Sequence, residues 1–135
     1  PREAARMKIR AAVEAAKDSG IMILARTDCR PTLGMDEAVA RIEMFVAEGA
    51  EILLLDSPKD IDEIRRAVAA AAGRHSFSVL SPGAPRVTPS RDEAAALGYK
   101  IGTFPTAMLS PAVGAIKAGL HALNAGQSAA ASATF

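Results

Sequence analysis

The chain has 135 residues, with 16 Lys plus Arg against 15 Asp plus Glu and a formal net charge of +1. Half of it is apolar and 23% is charged, the make-up of a globular domain rather than a disordered segment. One Cys excludes an intrachain disulfide framework and a multi-Cys zinc site, and no apolar run approaches the roughly 20 residues of a membrane helix. Balanced charge, with no Trp and no basic cluster beside a stacking aromatic residue, gives no footprint for nucleic acid. No basic, then apolar, leader is visible, so a reducing, cytoplasmic setting is expected. The first residue is Pro1, so processing or truncation is expected.

The first element is a helix: Ala5, Ile9, Ala12, Val13 and Ala16 share one face, and Gly20 lies beyond its end. The apolar run Ile21–Ala25 is too short for a buried helix and reads as a strand. A second helix follows, with Met35, Val39, Ile42 and Val46 on one face, Asp36 as the expected N-cap and Gly49 at its end. Strand Ile52–Leu55 comes next. The third helix carries Ile61, Ile64, Val68 and Ala72; Ser57-Pro58, or Asp60 with Glu63, would start it, and Gly73 ends it. Strand Phe77–Leu80 precedes a fourth helix that opens on Ser90-x-x-Glu93, a capping-box spacing, and closes at Gly98. Strand Lys100–Phe104 leads to a last helix, Thr106 to about Asn124. The organisation expected is one unit over residues 1–126 and a frayed tail over 127–135.

Strands alternating with helices imply a parallel sheet with right-handed crossovers. The strands are apolar at nearly every position, as when both faces are covered. Two folds fit: an open doubly wound sheet, or half of a (β/α)₈ barrel. At roughly 25–30 residues per repeat, eight repeats would need about the 250 residues typical of that barrel. The open sheet would leave apolar edge strands unprotected.

In either fold, chemistry gathers at the C-terminal ends of the strands. Strand alternation sets Met22, Leu24, Arg26 and Asp28 on one side, and Ile52, Leu54 and Asp56 on one side of the next strand. Arg26 and Asp56 would then face one mouth, with Asp28 near enough to orient the arginine. A guanidinium there suits bidentate recognition of a carboxylate or phosphate; the competing reading is a structural ion-pair network. Ser81, after the third strand, could offer a substrate-binding hydroxyl, or Ser81-Pro82-Gly83 could be turn chemistry alone. Cys29 has arginines nearby, but a lone Cys also serves as a small core residue. His75 stands at the wrong end of its strand for catalysis, His121 lies within the last helix, and neither has a partner at metal-ligand spacing. No Gly-rich phosphate loop is present.

Three stretches, Ile21-Met-Ile-Leu-Ala-Arg-Thr-Asp28, Gly34-Met-Asp-Glu-Ala-Val39 and Ala47-Glu-Gly-Ala50, resemble the isocitrate lyase / phosphoenolpyruvate mutase superfamily. That superfamily includes methylisocitrate lyases, oxaloacetate decarboxylases and phosphonomutases. Thr88-Pro89, Leu97-Gly98 and Phe104-Pro105 also fall where the family has Thr-Pro, Leu-Gly and Tyr-Pro. The resemblance runs from Met7 to about Leu123 and implies the C-terminal half of a (β/α)₈ TIM barrel, with four parallel strands and flanking helices.

The activity implied is a Mg²⁺-dependent lyase of the carbon–carbon type acting on a 2-oxo or 2-hydroxy di- or tricarboxylate. Arg26 would bind a substrate carboxylate, Asp28 would orient it, and Asp56 and Ser81 would complete the pocket. The alternatives are phosphonomutase-type P–C chemistry in the parent, or a non-catalytic homologue that pairs as a homo-oligomer. The family's metal-binding Asp residues and its catalytic loop belong to the N-terminal half, so this chain supplies no metal ligand and is expected to be inactive alone. The implied partners are a small carboxylate and either the N-terminal half-barrel or further copies of the chain. Departures from the family pattern are Cys29 for the usual Ala, Asp56-Ser57 for Glu-Ala, and Ser81-Pro-Gly-Ala-Pro-Arg-Val87 where many members carry Asn and Glu.

Overall fold

Five helices and four strands alternate along the chain in a computed structural model that describes residues 1–81 and 87–127. They are α1 (Arg2–Ala16), β1 (Leu24–Thr27), α2 (Arg30–Ala47), β2 (Ile52–Leu55), α3 (Ile61–Ala70), β3 (His75–Val79), α4 (Arg91–Ala96), β4 (Ile101–Thr103) and α5 (Leu109–Asn124). Two units result, Pro1–Thr103 with the sheet and Phe104–Phe135 with α5. The predicted tail, apart from Gln127, lies outside the described residues, as do Pro82–Arg86 of the loop after the third strand.

All four strands are parallel, in the order β1-β2-β3-β4. Leu24 pairs with Ile52 and Arg26 with Leu54, so side chains level with one another share a face. One face meets the helices: Ala25, Leu53 and Leu55 join Ala38, Ile42 and Phe45 of α2 and Ala67 of α3 in a single buried cluster. Helix α1 adds Ala5 and Ile9 to it. Small residues at Ala25, Ala38 and Ala67 let these helices approach the sheet closely, while Ile42 and Phe45 fill the space between. Arg10 Nε to Glu48 Oε2 at 2.8 Å, and Arg2 to Glu37, clamp the rim of α1 to α2.

The predicted elements all form, with shifted ends. The first strand begins at Leu24 rather than Ile21 and reaches Thr27; Ile23 already pairs its carbonyl with Glu51 N and Ile52 N. The third covers His75–Val79 rather than Phe77–Leu80. The last helix starts at Leu109, after a run of turns over 105–108. Asp36 is not an N-cap. The helix opens earlier, with Pro31 in its first turn, and is interrupted at Gly34, whose φ of 85° and ψ of 173° are non-helical. Asp36 therefore sits one residue inside the restarted helix, and its carboxylate meets Arg66 of α3. Asp60 caps α3 through Glu63 N at 2.9 Å, and Ser90 with Glu93 forms the full capping box of α4.

Candidate carboxylate site at the strand ends

Arg26 and Thr27 close β1, and alternation sends them to opposite faces. Thr27 is buried toward the helices and donates its hydroxyl to Cys29 Sγ at 3.2 Å. Cys29 is itself buried, in agreement with its reading as a core residue. Arg26 stands on the other face, with its side chain about half exposed.

Two carboxylates fix the guanidinium. Asp28 accepts from Arg26 Nε at 2.9 Å and from Nη2 at 2.6 Å. Asp56, on the next strand end, brings Oδ1 to 3.2 Å from the same Nη2. The register explains the second contact, because Arg26 is level with Leu54, and Asp56 follows Leu54 by two residues on the same face. Asp56 N also donates to the Thr27 carbonyl at 3.0 Å, which continues the β1–β2 pairing past the strand proper. The hydrogen bond to Asp28 raises the Arg26 pKa above its ordinary value, and the charge of Asp56 adds to it against partial desolvation. Arg26 is thus a permanent cation with a set direction. The contacts to Asp28 and Asp56 run through Nε and Nη2.

Ser57 belongs to this arrangement, although the sequence reading gave it no role there beyond a helix start and the Asp56-Ser57 departure from the family pattern. Its hydroxyl donates to Asp56 Oδ2 at 2.6 Å, and its backbone is left-handed, with φ of 54°. A non-glycine residue held there beside a paired carboxylate marks a strained turn at the strand end. Spacing alone could not reveal it, since Ser-Pro is ordinary helix-start chemistry. Ser81 lies two residues beyond β3, at the same end of the sheet as Arg26 and Asp56, and its carbonyl accepts from Thr88 Oγ1 at 3.3 Å. The structure therefore joins Arg26, Asp28 and Asp56 directly and sets Ser81 at the same end. A separate cleft of about 570 Å³ opens at the opposite end, between α1 and the starts of β1 and β2. Its charges are mixed, and Glu51 is engaged with Ile23 N, so it lacks a convergent polar set.

Among the described residues no group of three His, Cys, Asp or Glu could hold a metal ion. The two nearest acids, Asp28 and Asp56, each give an oxygen to Arg26.

The model of the phosphoenolpyruvate phosphomutase family matches residues 1–124. The chain belongs to this family. It is 35% identical over 102 residues to 2,3-dimethylmalate lyase of Eubacterium barkeri, which is 76% of this chain and 35% of that one. It is 42% identical over 57 residues to 2-methylisocitrate lyase of Escherichia coli, 42% of this chain and 18% of the relative. A crystal structure of 2,3-dimethylmalate lyase, described as a member of the PEP mutase/isocitrate lyase superfamily, superposes with a TM-score of 0.84 at 30% identity. The match covers 92% of this chain and 44% of that one. Oxaloacetate acetylhydrolase bound to its product oxalate gives a TM-score of 0.85 at 30% identity, again over 92% and 44%. The four-stranded sheet is thus part of a (β/α)₈ barrel, and the chain spans less than half the length of these relatives. The alternative of an open doubly wound domain is set aside by this match.

Proposed function

We propose that the chain is the C-terminal half-barrel of a carbon–carbon lyase whose substrate is a 2-oxo or 2-hydroxy di- or tricarboxylate. The observation that carries the reading is Arg26, half exposed and held at the strand ends by Asp28 and Asp56 through Nε and Nη2. Relatives named as lyases of dimethylmalate and methylisocitrate support it.

When a carbon–carbon bond next to a carboxylate breaks, its electron pair stays on the carboxylate-bearing fragment as an enolate. Negative charge on the carboxylate oxygens grows as the bond stretches. A cation already fixed beside one of those oxygens gains more attraction in the transition state than in the ground state, and pays no reorganisation at that moment. Asp28 and Asp56 do the fixing in advance. Because Asp28 occupies the Nε–Nη2 edge, Arg26 would grip one carboxylate oxygen end-on through Nη1, rather than both through a fork. Ser81, at the same end of the sheet, would offer a hydroxyl to the substrate.

Mg²⁺ is proposed for the complete barrel, where it would polarise the oxo or hydroxy oxygen. The described residues do not by themselves fit it, since no group of three ligands is present and the nearest acids pair with Arg26. Its ligands would come from outside them. The 135-residue chain alone is accordingly expected to be inactive, and a cytoplasmic setting accompanies the reading.

The test is steady-state cleavage of dimethylmalate, methylisocitrate and oxaloacetate by the complete barrel and by its Arg26→Lys form. Lysine keeps the charge but lacks the planar fork that Asp28 and Asp56 hold. The expected loss in kcat/KM is about a hundredfold or more. Equal activity of the two forms would sink the role of Arg26. Turnover of a phosphonate in place of all three acids would instead favour P–C chemistry.

A further inference from the structure

Ser57 is held in a conformation that a serine adopts at a cost. Its φ of 54° lies in the left-handed region that non-glycine residues seldom occupy. Pro58 follows it, and a proline draws the residue before it toward extended backbone, so the left-handed turn is the less favoured choice. The turn is nonetheless fastened from beyond. Pro58 is buried, and its carbonyl accepts from Val87 N at 3.3 Å. Lys59 N donates to Glu63 Oε2 at 2.7 Å. Arg30, at the start of α2, grips the same carboxylate through Nε and Nη2, each at 2.8 Å.

The strain has a geometric result. Neighbouring residues of an extended chain send their side chains to opposite faces. An extended Ser57 would therefore point away from Asp56. The left-handed turn folds the hydroxyl back instead, onto Asp56 Oδ2 at 2.6 Å. The other oxygen, Oδ1, lies 3.2 Å from Arg26 Nη2. The Cβ–Cγ torsion of an aspartate is broad on its own. With Oδ2 tethered, Oδ1 stays aimed at the guanidinium. Asp56 is mostly buried, where such a bond orients more strongly than in water. Unfavourable backbone that its surroundings over-determine, beside a charged pair at a strand end, is strain placed where a site can use it.

We propose that Ser57 is a positioning residue for the lyase reaction proposed above, on which this role rests: its hydroxyl sets Asp56, and Asp56 sets Arg26. A guanidinium already aimed when the carbon–carbon bond stretches needs no reorganisation at that moment. Without the tether that reorganisation returns to the barrier, so kcat falls more than KM rises. A glycine at position 57 would relax the turn but give up the hydroxyl.

The experiment compares the complete barrel with its Ser57→Ala, Ser57→Gly and Asp56→Ala forms and with the Ser57→Ala/Asp56→Ala double form, in cleavage of dimethylmalate, methylisocitrate and oxaloacetate. Alanine and glycine should each lower kcat about tenfold, the worth of one hydrogen bond, with KM within about twofold. The two losses should be equal although glycine relieves the backbone and alanine does not, because the rate follows the hydroxyl and not the stability. On the Asp56→Ala background, Ser57→Ala should cost nothing further. A second readout is the guanidinium N–H magnetic resonance of Arg26, assigned by its loss in Arg26→Lys. Rotation about Cζ–Nη2 should be faster in both Ser57 forms. Full rate in the glycine form overturns the proposal. So do additive losses in the double form, or an unchanged Arg26 signal. If the unaltered barrel cleaves none of the three acids, the lyase reading falls by itself, and the Arg26 signal alone decides whether Ser57 positions the arginine.

Discussion

Arg26 and Asp56, on neighbouring strands, meet at 3.2 Å through Nη2 and Oδ1, and the contact follows from strand register alone. Asp56 is mostly buried, with 16% of its side chain exposed, whereas Asp28 is 59% exposed. The two acids should therefore behave differently when removed. Asp28→Ala frees the Nε edge of a guanidinium that is half in water, and the stability cost should stay within about 1 kcal/mol. Its effect should appear instead at the arginine. The Arg26 Nε–H proton, slowed in exchange by the bond to Asp28, should exchange faster in the variant. An unchanged exchange rate would show that Asp28 does not orient Arg26.

Acid should weaken the helical rim. Hydrogen bonds from Arg2 and then Arg41 hold Glu37 well below the usual carboxylate range, at about 2. Arg10 lowers Glu48 and Arg30 lowers Glu63 in the same way. A carboxylate whose folded pKa is depressed stabilises the fold above its unfolded pKa, near 4.5 here. That stabilisation fades as pH falls toward the folded value. Thermal unfolding of the chain should thus move to lower temperature between about pH 4.5 and pH 2. Glu37→Gln should start less stable at neutral pH and show a shallower decline. Parallel curves for the two proteins would remove Glu37 from the account.

Ser57 combines a useful hydroxyl with an unfavourable backbone. Its φ of 54° costs a non-glycine residue energy, while its bond to Asp56 at 2.6 Å returns some. Two substitutions separate these effects. Ser57→Ala loses the hydroxyl and keeps the strain; Ser57→Gly loses both. The glycine form should exceed the alanine form in stability by about 1 kcal/mol in urea unfolding. Alanine equal to glycine would mean that the turn is not strained.

The sequence made the pattern of elements readable because strand and helix periods alternate without interruption. It placed Arg26, Asp28 and Asp56 on one side because strand alternation needs no three-dimensional information. Strand ends were less legible. Ile21 and Met22 are apolar but precede the first ladder bonds, since hydropathy reports what wants burial and not where a partner strand begins. Asp36 had the composition of a cap, yet the break that matters lies at Gly34, where a conformation rather than a hydrogen-bonding side chain decides the boundary. Ser57 was invisible for the same reason, because positive φ at a serine leaves no mark on composition.

Gly98 carries two constraints at once, and they predict the largest effect of a single methyl group. It follows the short helix α4 with φ of 100°, a region that side chains rarely adopt. A Cβ built on it would lie 2.9 Å from Val68 Cγ1 on α3. The first constraint strains any L residue by roughly 1 kcal/mol, and the second demands that the branched Val68, with few rotamers available in a helix, give way. Gly98→Ala should therefore destabilise the chain by more than about 1 kcal/mol. Adding Val68→Ala should recover part of the loss by removing the clash but not the backbone strain. The double-mutant cycle, read by urea unfolding, checks this through its sign. Purely additive losses would mean that Gly98 and Val68 do not meet, whereas partial rescue confirms the close approach of the end of α4 to α3.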